Sequence, residues 1–203
     1  RASDLTGAVS YAFPPAGIDL ERLRILLTTF RTAGGVAPVV LVYDDSGNDI
    51  LNAIGRFGQG LPANVIPYEV NEVTVIGLDA LLFARAYGAE HLIILNQNIG
   101  SDELHALESS IEVVKNIYSG LAIRGNCDVL DMTDPDILEG RLQTISASAL
   151  QNPDPIFKPA TFLPMGNKRD RLWLALDYLY DKVGPMKEPA SLTVGAPFGS
   201  VSV

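Results

Sequence analysis

Two short runs constrain this chain most: Val39-Val40-Leu41-Val42 within residues 38–43, and Leu92-Ile93-Ile94-Leu95 within residues 91–95. A strand wetted on one face alternates apolar and polar side chains. A run apolar at every position needs cover on both faces, as inside a parallel sheet. Parallel neighbours require crossover connections, and the sequence supplies helical patterns between the runs. Residues 19–33 carry Leu20, Leu23, Leu27 and Phe30 at three- and four-residue spacing, and Gly34-Gly35 ends that helix. Ile50, Leu51, Ile54 and Phe57 give a second helical face.

The unit then repeats. Asn64 to Val70 reads as a strand, and Pro67, which cannot donate to a ladder, places it at a sheet edge. Residues 72–87 read as one helix, apolar nearly all round, which calls for deep burial or a covering partner. The strand at 91–95 is the most apolar and is expected at the centre. A helix follows with Ser101 as N-cap, Asp102 and Glu103 in its first turn, and a stripe of Leu104, Leu107, Ile111, Val114, Tyr118 and Leu121. Cys127 to Leu130 is a weaker fourth strand, and residues 135–146 a further helix. Serial βα units predict an α/β, flavodoxin-like (Rossmann-like) three-layer sandwich with a mostly parallel sheet of about four strands, strand two lying outside strand one.

The chain of 203 residues has room for one sizeable core. Residues 1–18 read as an N-terminal flank and 19–150 as the α/β core. Residues 151–203 form a proline-rich extended arm, a helix over 167–183 with Leu172, Leu176, Leu179 and Val183 inward, and a Pro- and Gly-rich tail. The start at Arg1 lacks an initiator Met, as in an excised fragment. It also lacks the apolar core of a signal peptide, and no run approaches the roughly 20 apolar residues of a membrane span, so a cytoplasmic location is expected.

Composition narrows the function. At 47% apolar and 19% charged residues the chain is globular, and its net charge of −9 disfavours nucleic acid or an anionic membrane surface as partner. One cysteine, Cys127, and two histidines, His91 and His105, exclude an all-cysteine or His-rich metal site within this chain. Cys127 reads as a small buried hydrophobe or, less simply, a nucleophile.

In doubly wound sheets ligands sit beyond the carboxyl ends of the strands where strand order reverses. The candidate crevice therefore lies between Asp44-Asp45-Ser46-Gly47-Asn48 and Asn96-Gln97-Asn98-Ile99-Gly100, with Ser101 at the following helix. Asp44, Ser46, Gly47, Asn96, Asn98, Gly100 and Ser101 are its candidate binding residues. Asp44 and Asp45 either cap a helix or resemble the Mg²⁺-holding acidic pair of response-regulator receiver domains. A receiver needs a phosphoacceptor Asp ending strand three, where this chain has Asn96. A flavin or nucleotide could rest on backbone N–H groups at 96–101. The glycines of 55–60 follow a helix and miss the G-x-G-x-x-G spacing, so they read as a cap and turn. No Ser nucleophile elbow exists.

Longer pieces resemble iron–sulfur proteins. Thr6-Gly7-Ala8-Val9-Ser10-Tyr11 resembles the segment after the last cluster cysteine of a bacterial-type 4Fe-4S ferredoxin half. Ala196-Pro197-Phe198-Gly199 through Val203 resembles the strand leading into the next cysteine motif. Between them, the runs 31–41 and 61–67, Val70-Asn71-Glu72-Val73, and Gly166-Asn167-Lys168-Arg169 are similar to the central region of large bacterial 4Fe-4S iron–sulfur proteins. The βα core is distantly similar to the delta subunit of methyl-viologen-reducing hydrogenases, which carries cysteines after its third strand where this chain has Asn96-Gln97-Asn98. Asp4-Leu5 stands where the ferredoxin pattern has Cys-Pro.

The resemblance implies a clusterless domain of a ferredoxin-type electron-transfer protein. It has no metal and no catalytic residue of its own, the 4Fe-4S clusters lie in flanking ferredoxin-like regions, and a redox protein is its partner. The apolar surface of 72–87 is either core or an interface, a homodimer included. The competing expectations are a flavin- or nucleotide-binding module at the crevice and a degenerate receiver-like interaction domain.

Overall fold

A computed structural model describes residues 18–97, 100–153 and 158–183, without the side chains of Ile18 and Ser101. Asn98, residues 1–17 of the N-terminal flank and the tail 184–203 lie outside the described residues. The elements run α1 (Ile18–Thr32), β1 (Val39–Tyr43), α2 (Asn48–Phe57), β2 (Val65–Glu69), α3 (Leu78–Ala86), β3 (His91–Asn96), α4 (Ser101–Gly120), β4 (Asn126–Asp131), α5 (Pro135–Gln151) and α6 (Lys168–Val183). The sheet is four-stranded, all-parallel and ordered β2-β1-β3-β4. This is the flavodoxin-like order that the serial βα pattern predicts.

Burial follows the strand chemistry. Val39, Val40, Leu41 and Val42 are all buried, and so are Leu92 through Leu95. Alternate residues serve opposite cores. Val40, Val42, Leu92 and Ile94 pack with α1, α3 and α4, whereas Val39, Leu41, Ile93 and Leu95 pack with α2 and α5. Continuous apolar runs are what two covered faces require. Pro67 stands exposed in β2, the edge strand where its missing N–H breaks no ladder.

The other edge is guarded differently. Asp128 has the strand parity of Leu130, which faces the α2/α5 core, yet Lys115 of α4 on the opposite face donates to its Oδ1 at 2.7 Å. The lysine therefore reaches around the outer edge of β4, with which no strand among the described residues pairs. A charged side chain laid along an edge discourages pairing with another chain.

Residues 72–87 are not one helix, as their apolar pattern predicts, but two pieces. A 3-10 turn covers Val73–Val75, the backbone at Ile76 and Gly77 is extended, and α3 begins at Leu78. The β-branched run Val73-Thr74-Val75-Ile76 has low helix propensity, and the backbone N–H of Val73 is held by Asp44 Oδ2 at 3.2 Å. The remaining helix is buried on nearly every residue from Leu81 to Ala86 because α6 packs along its outer side, burying Leu172, Ala175 and Leu179. The all-round apolar surface of α3 is thus core, covered by the chain's own α6. A buried ion pair, Arg171 Nη2 to Asp79 Oδ2 at 3.2 Å, ties the starts of the two helices. Phe162 stands edge-on to Phe83 and Tyr178, and the Ala160 N–H donates to the Ala86 carbonyl at 2.7 Å. The segment after residue 150 thus returns into the core.

α3 ends with Gly88 at φ +98°, while the Ala89 N–H donates to the Ala84 carbonyl, the wrap-around closure that glycine permits without a Cβ penalty. Smaller differences from the sequence pattern concern ends. Phe57, the last residue of α2, is 87% exposed. Val183, at the end of α6, is likewise 40% exposed. Gly100 is the N-cap of α4 and Ser101 its first helical residue. α5 continues five residues beyond 146, to Gln151, with Asp134 capping its start. Among the described residues no helix is long and apolar enough to cross a membrane.

Candidate functional site

The carboxyl ends of β1 and β3 open into a crevice of about 270 Å³, at the switch in strand order. Asp44, Ser46 and Gly100 line it together with Glu72, Val73, Thr74 and Glu103. Asp44 follows β1 and caps a 3-10 turn, Asp45–Gly47. Its Oδ1 accepts from the Ser46 N–H at 3.1 Å and from the Ser46 hydroxyl at 2.5 Å. With Oδ2 taken by Val73, both oxygens work as a clip between two loops. Asp45 Oδ1 accepts from the Asn48 side-chain amide at 2.9 Å. Asp44 is therefore a cap of the 3-10 turn, whereas the Asp45 side chain bonds only the Asn48 side chain and caps no helix. Among the described residues no group of three or more His, Cys, Asp or Glu is placed to hold a metal ion.

The other candidates sit elsewhere. Gly47 is buried behind the crevice against Tyr43 and Leu95. Asn96 ends β3 but is buried with partners and does not line the opening. Gln97 turns away, donating to the Met132 carbonyl at 2.5 Å. Ser101 opens α4, and Asn98 lies outside the described residues. Glu72 and Thr74 carry no pattern that sequence reading could single out. They reach the crevice because the loop after edge strand β2 folds back over β1. Glu103 was legible only as a helix-start acid.

The electrostatics are one-sided. Asp44, Glu72 and Glu103 converge, and among the described residues no lysine or arginine lines the crevice. The N-terminal end of α4 offers positive potential, but a phosphate would meet three carboxylates there.

The remaining candidates are structural. Cys127 is 1% exposed, and burial, with Asp128 adding to it, pushes its thiol up to about 12. At neutral pH it is a thiol without nucleophilic or ligand character. His91 Nε2 lies 3.0 Å from Asp128 Oδ2. That hydrogen bond is the main reason the Asp128 carboxyl sits well below the usual carboxylate range, and Lys115 adds to it. Among the described residues no nucleophile is shown bonded to this pair. His105 is exposed beside Glu108. Gly58 and Gly60 form the cap and turn after α2.

Compared with models of known protein families the chain matches none, and a search of curated proteins finds no relative.

Proposed function

We propose that this chain is a clusterless α/β domain of a 4Fe-4S, ferredoxin-type electron-transfer protein of the cytoplasm, serving as scaffold and partner-docking module. The observation that supports the reading most is the state of the single thiol. Iron–sulfur clusters are held by exposed-to-ligand thiolates, and Cys127 is sealed in the core and protonated. On this proposal the clusters are held by flanking ferredoxin-like regions next to segments 6–11 and 196–203. Electron transfer weakens steeply with distance, so a body with α6 locked onto α3 would hold neighbouring clusters at fixed spacing. The crevice carboxylates and the net charge of −9 favour a redox partner with a basic docking face.

Iron and acid-labile sulfide analysis of the full-length gene product tests this. Four irons per cluster with broad absorption near 400 nm supports it, and an iron-free colourless protein refutes it.

The flavin or nucleotide reading keeps one favourable observation, a crevice at the strand-order switch beside the start of α4. The carboxylates oppose it for any phosphate-bearing ligand. A thermal-shift series with FMN, FAD, NAD and ATP separates the two, since a ligand of the folded state raises its melting temperature.

A further inference from the structure

We propose that a second groove, at the opposite end of the sheet, binds an uncharged, mainly apolar small molecule that carries one hydrogen-bonding edge. The groove is open to solvent and offers about 450 Å³ where the chain enters β1 and β2. That volume lies within the range of small-molecule sites, roughly 300–1,000 Å³. Phe30, Val36, Pro62 and Leu150 form apolar walls, and Asn64, Gln143 and Ser146 supply the polar groups. Among the described residues no lining side chain is ionisable, in a protein whose net charge is −9 and whose strand-end crevice is acidic. Such a lining offers an ionic ligand no counter-charge, which favours neutral ligands.

The floor is a built polar network. Asn64 and Ser146 are each 5% exposed. The Ser146 hydroxyl donates to Asn64 Oδ1 at 2.5 Å, and Asn64 Nδ2 donates to the Ala37 carbonyl at 2.9 Å. That network anchors Ala37 at φ +47°, in the left-handed region that a Cβ disfavours. Gly35 completes the arrangement: a Cβ there would fall 2.4 Å from Phe30 Cε1, so only glycine lets the ring form the wall. The Ser146 oxygen retains acceptor capacity beyond the hydrogen it donates, and the Gln143 amide at the rim can both donate and accept. Together they address one polar edge of an otherwise apolar molecule. This inference is independent of the electron-transfer reading.

The test titrates the 203-residue chain with the neutral dye N-phenyl-1-naphthylamine and, in parallel, with the anionic dye anilinonaphthalene sulfonate. Saturable one-site binding of the neutral dye is expected, with amide chemical-shift changes confined to residues 34–37, 62–64 and 143–150. Ala63→Trp places bulk in the groove from an exposed position, so the fold is retained while affinity drops about tenfold or more, roughly 1.4 kcal/mol. Ser146→Ala should weaken binding with less effect. Non-saturable binding, equal binding of the sulfonate, or an affinity unchanged in a folded Ala63→Trp protein overturns the proposal.

Discussion

Truncating Leu179 measures how far α6 belongs to the main core. Leu179 is 0% exposed and lies in the same cluster as Leu81, Leu82 and Phe83 of α3. Leu179→Ala removes three carbons, worth about 2.4 kcal/mol at roughly 0.8 kcal/mol per buried methylene. A residual cavity adds to that, and buried Leu→Ala changes cost about 2–5 kcal/mol. We take about 3 kcal/mol, a fall in melting temperature of roughly 6–12 °C for a chain of this size. Val183→Ala, one turn further on and 40% exposed, should cost less than about 1 kcal/mol. The assay is urea unfolding followed by circular dichroism and by the fluorescence of the sole tryptophan, Trp173, which sits on α6 itself. Both probes should report one coincident transition, with the Leu179→Ala midpoint displaced by about 1–2 M urea. If Trp173 reports a separate, earlier transition, or if the two substitutions cost the same, α6 is an appendage and the packing argument fails.

Three further outcomes follow from the geometry. The Asp128 carboxyl is held low in the folded protein, so it contributes stability above its unfolded pKa, about 4, and loses it as pH falls through the folded value. Asp128→Asn should therefore lower stability at pH 6 and flatten its decline between pH 5 and 2, and parallel pH profiles would contradict this. Cys127 should react with a thiol-specific disulfide reagent at pH 8 only at the rate of unfolding, and one thiol released within seconds from native protein would show that it is accessible. Lys115→Ala should bare the β4 edge and increase self-association in sedimentation velocity, and an unchanged monomer fraction would show that the lysine does not guard it.

What the sequence made legible was local chemistry. Runs such as 39–42 and 92–95 fixed both the strands and their double cover, and Pro67 alone identified an edge. Period fails where a β-branched run can look helical: Val73 to Ile76 keep an apolar face while the backbone is held by Asp44, 29 positions away. The all-round apolar α3 announced a cover but not its identity, since α6 lies some 90 residues on in the chain and nothing local encodes that pairing. The acidic crevice was half legible. Asp44, Ser46 and Gly100 follow from the strand-end rule, but Glu72 enters from a loop whose path only tertiary structure sets. The uncharged groove was not legible at all. It draws on residues 30–36, 62–64 and 143–150, none of which forms a motif alone.

Low-temperature electron paramagnetic resonance of the dithionite-reduced gene product, set beside the isolated 203-residue chain, addresses the electron-transfer proposal most directly. We expect signals of reduced 4Fe-4S centres from the former and silence from the latter. Silence from both, or a cluster signal carried by the 203 residues themselves, would contradict the account.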